Sequence, residues 1–172
     1  THAMIEAIKM AASDAIIRPE NVEKIEITVH PQYLDICNLK APKTGLEAKF
    51  SFSLIASAVL NGIDTGRLDV FNDNLCKDEE VTALADRVEV IPNEKLSETV
   101  TKIKIQQFNK EITFGYADIL TQYKLEDREG FVRQKAAKLL GSEYADQIWN
   151  MINNDDLLSS KLTSKLMFFH SC

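Results

Sequence analysis

Two lysines flank a turn signal in the stretch KTGLEAKFS, residues 43–51. Its Thr-Gly pair predicts a turn, and an almost wholly apolar helix is predicted to follow over residues 46–61. The first turn of a helix carries free amides and partial positive charge, which disfavours a cation such as Lys49. With Lys43 just upstream, the pattern predicts a seat for a carboxylate or phosphate. The alternative is that Lys49 is solvated and pairs with Glu47 or another acid.

Two further side chains could take part in chemistry. His2 lies at the start of a predicted amphipathic helix and could act as a general acid or base near neutral pH, although a lone histidine is often structural. Tyr33 follows a predicted strand and could donate a hydrogen bond, or it could be a half-buried aromatic residue. We find no Ser-His-Asp order, phosphate-binding loop, dinucleotide motif or metal-ligand spacing. Residue chemistry alone therefore indicates a soluble domain with a possible anion site.

Hydrophobic periodicity predicts the elements that position these residues. Runs that alternate apolar and polar residues predict strands, and the last two strands form a hairpin around Asn109-Lys110. Gly141 closes one C-terminal helix, and Ser142 is predicted to cap the next. The element order α-β-α-α-β-β-β-α-α-α predicts an α+β fold with an antiparallel β-sheet packed against helices. The predicted helices cover residues 3–15, 46–61, 78–88, 132–140, 142–152 and 156–168, and the strands 25–29, 88–91, 101–106 and 112–116.

The length of 172 residues fits one domain, so we expect a single α+β domain over residues 1–172. A formal net charge of -6 argues against a nucleic-acid partner. No run approaches the roughly 18 apolar residues that span a membrane. The three cysteines, Cys37, Cys76 and Cys172, are too scattered for a disulfide framework, so we expect a reducing, cytoplasmic setting. Because the sequence starts at Thr1 and helical periodicity begins almost at once, we also expect the chain to be a piece of a longer protein; removal of a tag is the alternative explanation.

Several segments resemble the MmgE/PrpD family. Residues 1–7, THAMIEA, resemble the family's "TH..IDA" helix start, and residues 42–51, PKTGLEAKFS, resemble its most recognisable segment, "P.TG.EAKFS". Residues 125–140 are similar to a later family helix. The resemblance implies the smaller, C-terminal α+β domain of such proteins, without their larger all-helical N-terminal domain.

This resemblance implies chemistry on small polycarboxylates without a metal or other cofactor. Family members include 2-methylcitrate dehydratase, cis-aconitate decarboxylase and iminodisuccinate epimerase, and the residues do not choose between loss of water, loss of CO₂ and epimerisation. By position, His2 matches the family's catalytic histidine, Lys49 its basic residue in the EAKFS segment, and Tyr33 an active-site tyrosine; Lys43 would assist in binding substrate. The resemblance also implies a homodimer.

Two functions follow as expectations. The first is the small domain of a lyase-type enzyme, in which a base removes a proton next to a carboxylate, lysines stabilise the developing negative charge and His2 serves as the acid. This chain would then be inactive by itself, because further acid and base residues belong to the helical domain. The alternative is a non-catalytic module that binds a carboxylate or dimerises.

Overall fold

The computed structural model describes residues 2–14, 17–108, 110–115 and 123–153. The chain divides into two compact units, Thr1–Gln122 and Tyr123–Cys172. The elements of the first unit are α1 (His2–Asp14), β1 (Val22–Val29), α2 (Leu34–Cys37), α3 (Gly45–Ala48), α4 (Phe52–Leu60), α5 (Glu79–Ala85), β2 (Val88–Pro92), β3 (Lys102–Gln107) and β4 (Lys110–Gly115). Those of the second unit are α6 (Leu125–Leu140) and α7 (Ser142–Ile152).

The four described strands form one sheet in the order β2-β1-β3-β4, which confirms the α+β fold. β3 pairs antiparallel with both β1 and β4, and the predicted hairpin is present. The prediction of a wholly antiparallel sheet is wrong for one pair, because β1 and β2 run parallel, with Ile25 opposite Val88. The chain leaves β1, passes through α4 and α5 and enters β2 in the same direction, and such a crossover is what a parallel pair requires.

Helices cover one face of the sheet. α1 packs on α4, β3 and β4, and α4 packs on α5 and β2. The strands alternate accordingly: Ile25, Ile27 and Val29 of β1 are buried, as are Ile103 and Ile105 of β3. This burial places the core between the sheet and the two helices α1 and α4.

Side chains of opposite charge pair across the other face of the sheet. Lys24 contacts Glu26 at 2.8 Å and Glu89 at 2.7 Å, while Lys104 lies 3.6 Å from Glu26 and 2.8 Å from Glu111. The hydrogen bond from Lys24 lowers the pKa of the Glu26 carboxyl, and its bonds to Glu26 and Glu89 raise the pKa of Lys24. The alternation predicted for these strands thus separates an apolar face from a face of cross-strand ion pairs.

The predicted continuous helix over residues 46–61 is wrong, because the chain forms α3 and α4 with a break between them. Ser51 is extended, and its hydroxyl accepts a hydrogen bond from the amide of Leu54 at 3.3 Å, which caps α4. Asn38 forms a β-bridge with Ser51, and the amide of Leu39 donates to the carbonyl of Phe50 at 3.0 Å. In a continuous helix the Leu54 amide would donate to the Phe50 carbonyl; here that carbonyl accepts from Leu39 and that amide donates to the Ser51 hydroxyl instead.

In the second unit, α6 and α7 pack on each other. The predicted cap by Ser142 is wrong: Gly141, with φ of 82°, is the N-cap residue, and Ser142 is the first residue of α7. The guanidinium of Arg133 lies 4.5 Å from the ring centre of Trp149. The predicted helix over residues 156–168 lies outside the described residues. Within the described part of the chain, every helix is too short or too polar to cross a membrane.

Candidate functional site

A capping box fixes the turn that carries Lys43. One carboxylate oxygen of Glu47 accepts hydrogen bonds from the amides of Lys43, at 2.6 Å, and Thr44, at 3.3 Å. In return, the Thr44 hydroxyl accepts from the amide of Glu47 at 3.2 Å. This arrangement is the Thr-x-x-Glu box that the sequence contains. The amides of Lys43 and Thr44 are therefore bound to a carboxylate of the protein, and the amide of Glu47, in the first turn of the predicted helix, is bound to the Thr44 hydroxyl.

Gly45 lies against a second loop, residues 69–77. Its amide donates to the carboxylate of Asp73 at 2.9 Å. A Cβ atom at this position would lie 2.1 Å from the carbonyl oxygen of Phe71 and 2.6 Å from the Cα of Asn72. Because backbone atoms fill that space, only glycine allows α3 and this loop to approach so closely.

Lys49 is the C-cap residue of α3 and does not belong to the first turn of α4. The carbonyl end of a helix favours a cation, so the dipole argument against Lys49 no longer applies. Its Nζ lies 5.6 Å from the ring centre of Phe71, within the range of a cation–π contact. The alternative of a pair with Glu47 does not occur among the described ion pairs, since Glu47 binds backbone amides instead.

Tyr33 ends a 3₁₀ turn, Pro31–Tyr33, directly after β1. The Nδ1 atom of His30 accepts a hydrogen bond from the amide of Gln32 at 3.4 Å, so His30 caps the turn. α2 follows, and the bridge between residues 38 and 51 then joins this segment to the turn that carries Lys49. Tyr33 itself is half-buried.

His2 is exposed and begins α1, the helix that packs on the sheet and on α4. The backbone contacts thus join the segments of Lys43, Lys49 and Tyr33, whereas His2 is positioned by a different element. The roles of these four residues in binding or catalysis remain predictions.

Sequence reasoning missed the second loop altogether. Phe71, Asp73 and Cys76 all contact the 43–49 segment, and the Cys76 thiol donates to the carbonyl of Thr44 at 3.4 Å. Burial, and then the nearby carboxylates of Asp73 and Glu47, raise the pKa of the Cys76 thiol. No periodic signal marks this loop. The Thr-x-x-Glu box was a readable signal that the amides beside Lys43 are taken.

The arrangement can attract an anion through lysine side chains and not through backbone amides. Lys43 and Lys49 are both exposed, and the carboxylates of Glu47 and Asp73 hold backbone amides of the same segment in place. A carboxylate ligand could therefore pair with either ammonium group without displacing a structural bond. Within the described residues, no group of three or more histidine, cysteine or acidic side chains converges in a way that could hold a metal ion.

Comparison with protein-family models identifies a match over most of the chain. The profile of the MmgE/PrpD C-terminal domain matches residues 1–137, which include α1, the whole sheet, the 43–49 segment and the loop that contacts it. No curated protein gives a significant match to the chain.

Proposed function

Because this chain belongs to the MmgE/PrpD family, we propose that it is the small domain of a metal-independent, lyase-type enzyme that acts on a small polycarboxylate. The observation that carries the proposal is the match of the family's C-terminal domain to residues 1–137. A 2-methylcitrate dehydratase-like reaction is the form we favour. Epimerisation also begins with removal of a proton next to a carboxylate, whereas loss of CO₂, as in a cis-aconitate decarboxylase, reaches a carbanion by breaking a C–C bond; both reactions are tested beside it.

In this proposal, the lysines bind substrate through their side chains. The amides of residues 43–45 are occupied by Glu47 and Asp73, so the ammonium groups of Lys43 and Lys49 supply the positive charge. A fixed cation beside a carbanion stabilises the charge that develops when a proton next to a carboxylate is removed. Tyr33 donates a hydrogen bond to the substrate, and His2 is the general acid.

We propose that the remaining catalytic groups come from a helical N-terminal domain of the full-length protein. We also propose that the full-length protein is a cytoplasmic homodimer. A typical general acid or base contributes a factor of about 10²–10⁴ in rate. Because several such groups would be missing, residues 1–172 alone should show little or no turnover.

The test is a turnover assay of the full-length gene product with 2-methylcitrate, cis-aconitate and iminodisuccinate, each followed by product analysis. We expect one substrate to be converted and His2→Ala to lower kcat by about 10²-fold or more. Lys95→Ala, an exposed lysine in another segment, is the matched control and should leave kcat unchanged. Full activity of folded His2→Ala protein would remove His2 from the mechanism. Failure to convert any of the three substrates would contradict the proposed substrate class.

A further inference from the structure

The aromatic ring of Phe71 lies beside Lys49, one of the two lysines proposed to bind substrate. The Nζ atom of Lys49 is 5.6 Å from the centre of the ring, within the range of a cation–π contact. The carboxylates of Glu47 and Asp73 remain charged, but both accept backbone amides, and neither pairs with Lys49 among the described ion pairs. Within the described part of the chain, the contact that restricts this exposed ammonium group is therefore the one with the ring.

The ring is itself anchored to the core. Phe71 is half-buried and packs against a cluster of buried apolar side chains. The members of this cluster are Ala48, Leu54, Ala58, Leu75 and Val81. Because Ala48 directly precedes Lys49 in the chain, one cluster holds both the ring and the backbone from which the lysine side chain extends.

The backbone around Phe71 is fixed as well. Its carbonyl group lies directly against Gly45, with no space for a Cβ atom between them. The side-chain amide of Asn72 donates to the carbonyl of Asp69 at 2.8 Å, and its side-chain oxygen accepts from the amide of Asn74 at 2.9 Å. A ring held in this way restricts a flexible lysine, whereas a mobile ring would move with it.

We propose that Phe71 is a positioning residue, whose ring holds the Lys49 ammonium group ready for a carboxylate of the substrate. The inference rests on the proposed role of Lys49 in binding substrate and gives Phe71 no contact with the substrate itself. A long, flexible lysine side chain loses conformational entropy when a ligand fixes it. Since the ring restricts the side chain beforehand, less entropy is lost on binding. The alternative is that Phe71 only fills space beside the core.

The first test measures binding of propane-1,2,3-tricarboxylate to the full-length protein by titration calorimetry, which needs no turnover. Phe71→Leu keeps an apolar side chain against the core and removes the ring, and should weaken binding by about two- to tenfold, the cost of ordering one long side chain. Phe71→Tyr keeps the ring and should bind as the unsubstituted protein does. The control Phe108→Leu, an exposed residue in the β3–β4 turn, should also leave binding unchanged.

Kinetics with a substrate that the full-length protein converts provide a second test. The ordering cost of Lys49 is paid on binding and is the same in the transition state. Phe71→Leu should therefore raise KM by about the same factor and leave kcat unchanged. In Lys49→Met protein the same substitution should have no further effect on KM, because Phe71 acts only through that lysine.

NMR of residues 1–172 tests the contact without any substitution at Phe71. The side-chain protons nearest the Lys49 ammonium group, assigned with Lys49→Met, should be shifted upfield by the ring relative to those of Lys95, an exposed lysine in another segment. Equal shifts for the two lysines would overturn the inference.

Four results of the binding and kinetic tests would also overturn it. These are no tricarboxylate binding by the unsubstituted protein, equal binding by Phe71→Leu, equal weakening by Phe71→Tyr, and a loss that persists in Lys49→Met protein. Binding that depends on Phe71, without conversion of any of the three substrates, would support the inference and contradict the proposed reaction. Conversion of a substrate with a KM that Phe71→Leu leaves unchanged would do the reverse.

Discussion

α4 and the α3 turn are neighbours in the chain, yet different forces hold them. Every residue of α4 is buried, and the helix packs on α1, α5 and the sheet. Around α3, Leu46 and Phe50 are exposed, and the backbone is fixed by amide hydrogen bonds to the carboxylates of Glu47 and Asp73 and by the 38–51 bridge. Packing therefore positions the scaffold, whereas polar contacts position the residues that could meet a ligand or partner.

Two phenylalanines, one on each side of Ser51, provide the strongest test of this difference. Phe52 is 1% exposed and Phe50 is 41% exposed. Phe52→Ala should lower the free energy of unfolding by about 3–5 kcal/mol, because it leaves a cavity in the core. Phe50→Ala should cost less than about 1 kcal/mol, since most surface substitutions have small effects. Urea denaturation of both variants measures the contrast, and equal losses would refute it.

Two glycine substitutions, at Gly45 and Gly130, should give the next largest contrast in stability. A methyl group on Gly45 would collide with the backbone of residues 71–72, so Gly45→Ala should destabilise the protein by about 1–3 kcal/mol, as overpacking does. Gly130 lies in α6, where an added methyl group would have open space around it, and Gly130→Ala should stabilise the helix by about 1 kcal/mol. Thermal melts of the two variants show whether Gly45→Ala lowers the melting temperature and Gly130→Ala raises it. A neutral Gly45→Ala would mean that the loop moves away without cost.

The elements themselves were largely predictable, because periodicity is a local property. α1, β1 and the β3–β4 hairpin were predicted within a few residues of their observed bounds. The break before α4 was missed because apolar residues lie on both sides of Ser51, so the hydrophobic pattern continues across the break and does not show it. The hydrogen bonds that cause the break come from residues 38 and 39, more than ten positions away.

The candidate site was less predictable for the same reason. The lysines and the Thr-x-x-Glu box could be read locally, but the contacts of Phe71 and Asp73 join segments that are 22 and 28 positions apart. Parallel pairing of β1 with β2 is likewise set by the path of the chain through α4 and α5. Sequence patterns indicate which residues are charged or apolar, whereas only the fold decides which carboxylate reaches which amide.

Loss of the capping box should lower the free energy of unfolding by less than Phe52→Ala or Gly45→Ala does. Glu47→Ala leaves the amides of Lys43 and Thr44 without their acceptor and should cost about 1 kcal/mol, the usual value of a lost helix cap. Glu47→Gln retains a side-chain oxygen and should restore most of this stability. Urea denaturation measures both, and faster reaction of Cys76 with a thiol reagent in Glu47→Ala would report opening of the same contact. Equal losses for alanine and glutamine would show that charge, not the hydrogen bond, is what matters.

The smallest effect concerns the charged face of the sheet. The hydrogen bond from Lys24 lowers the pKa of Glu26 below its ordinary 4.5, so the carboxylate stabilises the fold above that pH, and this contribution is lost as the pH falls through the lower, folded-state pKa. Since both side chains are partly in solvent, Glu26→Gln should cost at most about 1 kcal/mol near neutral pH. Its unfolding free energy should also fall less steeply below pH 4.5 than that of the unsubstituted protein, and high salt should shrink the difference. Parallel acid titrations of the two proteins would contradict this account, because the ionised Glu26 carboxylate would then contribute nothing to the free energy of folding.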